Sequence, residues 1–185
     1  MSGGDARGSC DDLAVTRPVC VLVGPPGAGK TTVGRLLADR LDVAFRDTDA
    51  DVEAAAGRSV ADLFVIDGEP VFRELEARAV AAALAEHGGV LALGGGAVLD
   101  PATRATLQGH VVIYLETGLS AAARRVGLGV SRPVLVDNPR ARLRELLDAR
   151  RGFYAEVATE VVETDDRSPE EIADDCAKRL APVAP

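Results

Sequence analysis

An α/β fold, with a parallel sheet covered on both faces by helices, is predicted by three features of the sequence. Short apolar runs alternate with longer stretches of helical periodicity. The runs at 19–23 and 90–93 are continuously apolar, the pattern of strands buried on both faces. The first of them leads directly into a glycine-rich turn and an amphipathic helix.

The elements follow in order. Residues 1–17 are rich in Gly and Asp and read as a flexible tail, leaving 18–185 as a single domain. Val19–Val23 is the first strand. Lys30–Leu41 is a helix with Val33, Leu36, Leu37 and Leu41 at helical spacing. Val43–Arg46 is the second strand, and Asp49–Ala56 is helical up to Gly57. Ser59 caps a short helix through Phe64. Pro70–His87 is a long helix with Phe72, Leu75, Ala79 and Ala83 on one face, stopped by Gly88-Gly89. Val90–Leu93 is the third strand. Asp100-Pro101 opens a helix to about Gln108. Val111–Leu115 is the fourth strand and Ala121–Val126 is helical. Gly127–Pro139 reads as a mobile loop, Arg140–Ala158 as a helix and Val161–Glu163 as a fifth strand. Ser168-Pro169-Glu170-Glu171 is a capping box before a last helix with Ile172, Cys176 and Leu180 inward.

Composition narrows the function. The chain has 185 residues, with 21 Lys and Arg against 29 Asp and Glu, a net charge of −8. Such a balance supplies no counterion-release drive towards nucleic acid or an anionic membrane. Four Phe, two Tyr and no Trp make a base-stacking platform improbable. No apolar run approaches the roughly 20 residues of a membrane span, and the polar start lacks a signal-peptide core. Cys10, Cys20 and Cys176 form no CxxC pair and read as packing or tail residues. A reducing cytoplasm is the expected compartment.

In such a sheet, ligands gather beyond the carboxyl ends of the strands. The loop after the first strand, Gly24-Pro25-Pro26-Gly27-Ala28-Gly29-Lys30-Thr31, fills every position of GxxxxGK[ST]. Its backbone N–H groups and the helix N-terminus suit phosphate oxygens. Lys30 can reach β and γ phosphates, and the Thr31 hydroxyl can ligate Mg²⁺. After the second strand, Asp47-Thr48-Asp49 suits either a magnesium shell and a substrate hydroxyl or a helix N-cap. After the third, Gly94-Gly95-Gly96 suits either close backbone approach or a loose loop. Arg73 can clamp a carboxylate or pair with Glu76 on its own helix. Arg132 can swing onto a transferring phosphate or stay solvated.

Taken together, the strings GPPGAGKTT, DTD, Gly68-Glu69, Phe72-Arg73, Glu76, LALGGGAV, SRPVL and ARRGFY resemble the shikimate kinases, small P-loop kinases, across about residues 19–180. The resemblance implies a three-layer α/β/α fold of nucleoside-monophosphate-kinase type, with five parallel strands and a mobile lid. It implies ATP as co-substrate, Mg²⁺ as cofactor, and transfer of the γ-phosphoryl to the 3-hydroxyl of shikimate on the way to chorismate and aromatic amino acids. A monomer is expected, and the composition already sets nucleic acid and membrane aside as partners. By the same resemblance Asp49 holds the reacting hydroxyl and is the base, Lys30 and Arg132 are catalytic, and Thr31 and Asp47 hold Mg²⁺. Arg73, Gly95, Gly96 and Arg150 join Asp49 on shikimate, with Arg151 a rival to Arg150. Gly27, Ala28, Gly29, Lys30, Thr31, Thr32, Arg125, Arg132 and Pro169 hold ATP. The family usually carries proline two residues before the tyrosine, where this chain has Gly152. The rival readings are a gluconate kinase, an adenylate kinase and a non-catalytic nucleotide-binding module.

Overall fold

The computed structural model describes residues 17–128 and 138–181. Residues 1–16 of the expected 1–17 tail, with Cys10, and residues 129–137, including Arg132, lie outside the described residues. In chain order the elements are β1 (Cys20–Val23), α1 (Lys30–Leu41), β2 (Phe45–Asp47), α2 (Thr48–Ala56), α3 (Val60–Ile66) and α4 (Glu69–Glu86). Then come β3 (Val90–Ala92), α5 (Pro101–Leu107), β4 (Val112–Glu116), α6 (Leu119–Arg125), α7 (Pro139–Val157), β5 (Glu160–Glu163) and α8 (Pro169–Leu180).

The sheet has five strands in the order β2-β3-β1-β4-β5, and every pair is parallel. β1 and β3 are buried along their whole length, whereas the edge strands β2 and β5 are only partly covered. That gradient explains why the central strands read as unbroken apolar runs.

Alternation along β1 feeds two cores. Cys20 and Leu22 face α1 and α8, packing with Val33, Leu37, Ile172 and Cys176. Val21 and Val23 face the opposite layer, with Val80 and Leu84 of α4, Leu107 of α5, and Tyr154 and Val157 of α7. A smaller cluster of Val52, Leu63 and Phe72 joins α2, α3 and α4 beside the sheet. Cys20 and Cys176 are free thiols in the core, and burial raises them to about 12 and about 11. They are inert packing groups, as their spacing suggested.

The caps read from the sequence are present. The side chains of Ser59, Asp100 and Ser168 accept from first-turn amides, and Ser168 with Glu171 forms a complete capping box. Two starts move. The long helix begins at Glu69, because proline can occupy either of its first positions, and α6 begins at Leu119 after Gly118. One element has no periodic signal: Ala97–Leu99 forms a 3₁₀ turn after the glycines. Arg104 braces that turn by donating to the carbonyls of Val98 (2.8 Å) and Leu99 (3.1 Å).

Candidate active site

Because all strands run parallel, the loops after β1, β2 and β3 meet at one edge of the sheet. The loop after β1 ends in Gly29, whose φ of 93° is a left-handed conformation open to glycine. α1 then starts with no capping side chain and no acidic residue in its first turn. Its first amides are thus left to an external anion. Lys30 Nζ donates to the carbonyls of Gly24 (2.7 Å) and Pro25 (3.1 Å), lying across the loop. Burial lowers its ammonium to about 8, against Asp49 and Asp47, which raise it.

Asp47 serves two partners. One oxygen caps α2 by accepting from the Asp49 amide at 3.1 Å, and the other accepts from the Thr31 hydroxyl at 2.7 Å. The N-cap and the metal-shell readings of this turn are therefore compatible. Asp49 is raised above its ordinary value by burial first and Asp47 second, with Lys30 and Arg73 opposing. Its charge is felt by the phosphate loop on one side and by Arg73 on the other.

Behind Asp49 lies the triple glycine. Gly94 N–H donates to the buried Thr48 hydroxyl at 3.0 Å. A Cβ on Gly96 would overlap the Arg73 guanidinium, so a larger residue there would displace Arg73 from its present place. Arg73 Nη1 donates to Glu76 at 2.5 Å, and its Nε and Nη2 reach Glu69 at 3.1 and 3.0 Å. The Glu76 side chain is 4% exposed, and burial raises its carboxyl. The rings of Phe64 and Phe72 flank the guanidinium at 5.7 and 5.2 Å. From α7, Arg150 Nη1 and the Tyr154 hydroxyl donate to the Gly95 carbonyl at 3.0 and 2.5 Å. Arg151 points elsewhere, with its side chain 63% exposed and Glu116 3.8 Å away.

A cavity of about 450 Å³ runs from the phosphate loop to the start of α8, with Asp47, Asp49, Arg125, Arg167 and Pro169 on its walls. Arg125 ties the loop to the turn after β5, donating to Gly27 O (3.2 Å) and to Thr164 (3.0 and 2.6 Å).

The comparisons agree on what this geometry belongs to. The family model for shikimate kinase matches residues 26–181. A shikimate kinase of Salinispora arenicola is 61% identical over 164 residues, covering 89% of this chain and 98% of the relative. The chain belongs to the shikimate kinase family. The solved shikimate kinase of Acinetobacter baumannii, in complex with shikimate, superposes with a TM-score of 0.81 at 36% identity, over 90% of this chain and 94% of that one. A gluconokinase from Sinorhizobium meliloti reaches a TM-score of 0.55 at 21% identity, covering 90% of this chain and 93% of that one, a likeness of fold alone.

As a shikimate kinase family member the chain is an ATP-dependent small-molecule kinase. The structure gathers Gly27 to Thr32, Asp47, Asp49, Arg125 and Pro169 around one cavity. It gathers Arg73, Gly95, Gly96 and Arg150 beside it. Arg132 alone of the expected site residues lies outside the described residues. Sequence reasoning passed over Thr48, Tyr154 and Arg167. Thr48 was hidden between two aspartates. Tyr154 carried a signal in its i+4 spacing from Arg150, and Arg167 in its place two residues before Pro169.

Proposed function

We propose that the chain transfers the γ-phosphoryl group of ATP to the 3-hydroxyl of shikimate, giving shikimate 3-phosphate and ADP in the route to chorismate and aromatic amino acids. The observation that carries this reading is the place of Asp49, between a phosphate loop and an arginine-bearing recess. The shikimate bound to the Acinetobacter baumannii relative supports the acceptor.

The roles follow from position. The α1 amides and Lys30 hold the phosphates and neutralise charge gathering on the transferring group. Arg73, pre-set by Glu76, and Arg150 face the acceptor's carboxylate. Gly95 and Gly96 offer backbone to its ring. Asp49 orients the hydroxyl and accepts its proton as the new O–P bond forms and the bond to the ADP oxygen breaks. Arg125 and Pro169 flank the base of ATP. Thr31 and Asp47, hard oxygen donors already 2.7 Å apart, fit Mg²⁺, which needs only one or two protein oxygens. When bound, Mg²⁺ would supply charge neutralisation to the phosphates. The enzyme is read as a monomer. Among the described residues no helix is long and apolar enough to cross a membrane, and we place the enzyme in the cytoplasm.

The test is ADP release from Mg-ATP with shikimate, with gluconate and with neither. Release that depends on shikimate is expected. Release with gluconate instead would discard the carboxylate clamp, and silence with all three would make the chain a nucleotide-binding module.

A further inference from the structure

The loop of three glycines is soft by composition, yet side chains from two elements hold it. Thr48 fixes its first amide from the start of α2. From α7, the Gly95 carbonyl receives both the Tyr154 hydroxyl and Arg150 Nη1. Tyr154 is 1% exposed, and its ring stacks on Tyr114 with centroids 5.2 Å apart. Burial raises its phenol to about 12, so the hydroxyl remains a proton donor throughout neutral pH.

A peptide unit is planar, so the Gly95 carbonyl and the Gly96 N–H turn together and point in opposite directions. With glycine on both sides, little in the backbone itself resists rotation of that unit. Holding the carbonyl towards α7 therefore sets where the Gly96 amide faces, and Gly96 lies directly against the Arg73 guanidinium. The same carbonyl anchors one nitrogen of Arg150.

We propose that Tyr154 is a positioning residue for the acceptor. Its hydroxyl orients the Gly95–Gly96 peptide, and with it the backbone and Arg150 guanidinium presented to the substrate acid. This rests on the acceptor site described above. A hydroxyl that merely satisfies a buried carbonyl would contribute to stability without discriminating between the two substrates.

The test is Tyr154→Phe, which keeps the ring against Tyr114 and removes only the oxygen. ADP release is measured against shikimate at saturating ATP, and against ATP at saturating shikimate, beside the wild type, with melting curves of both proteins. The KM for shikimate should rise about 5- to 10-fold, the value of one hydrogen bond, while the KM for ATP stays within about 2-fold. An unchanged shikimate KM overturns the proposal. So does an equal rise in both KM values, and so does loss of a cooperative melting transition. If wild type turns over shikimate and the variant matches it, only the positioning role falls. If wild type shows no shikimate-dependent release, the acceptor reading falls and this role with it.

Discussion

Single residues in this site do more than one job, and that shapes what their replacement should do. Asp47 caps α2 with one oxygen and meets Thr31 with the other. Asp49 has no comparable capping duty, so Asp49→Asn should leave ATP binding nearly intact. It should lower kcat by about 10²- to 10⁴-fold, the usual value of a positioned base. Initial rates with an ATP titration check both parts. Lys30 predicts the alkaline limb. Its lowered pKa means the free enzyme loses this positive charge as pH rises through about 8. The kcat/KM for ATP should fall there, while kcat at saturating ATP holds to higher pH, because bound phosphates favour the ammonium. On the acid side, Asp49 takes up its proton at higher pH than an ordinary aspartate. The kcat/KM for shikimate should therefore fall as pH drops through that raised value. Rate profiles at limiting and saturating substrate separate the two limbs.

At the scale of elements, α7 is the informative case. It runs unbroken from Pro139 to Val157 although Gly152 sits in its interior. An added Cβ there meets nothing within 4 Å. Gly152→Ala should therefore stabilise the fold by about 0.5–1 kcal/mol through reduced freedom of the unfolded chain. The urea midpoint should rise, with activity retained because Arg150 and Tyr154 keep their helical turn. A fall would show that α7 needs the glycine. Most elements were legible beforehand because their ends carry chemistry: Ser59, Asp100 and Ser168 are caps that the sequence displays openly. The 3₁₀ turn at Ala97–Leu99 was not legible, since it is stabilised by Arg104 from another element. The Arg73 alternatives could not be separated from spacing. The helix pairs Arg73 with Glu76 and Glu69 and also sets it against Gly96.

For the molecule as a whole, the parallel strand order brings the nucleotide loop and the acceptor recess to one edge while drawing them from different elements. The two should therefore be separable by ligand. Shikimate and ADP, each at about 100 times its Kd, should each stabilise the fold by about 2.7 kcal/mol. Arg73→Ala should remove the shift given by shikimate and spare that given by ADP. Paired thermal melts check this, and loss of both shifts would make Arg73 a structural residue. The sequence by itself determined the α/β class, the phosphate loop and most helix caps, and it named many of the side chains that line the cavity. Only the tertiary structure decided that Arg150 rather than Arg151 turns inward, that Asp47 serves Thr31 as well as its own helix, and that Tyr154 grips the Gly95 carbonyl. The reason is physical. Periodicity and capping are written within a few residues of chain, whereas the partner of a polar group depends on which elements, some 55 to 59 residues apart here, are packed face to face.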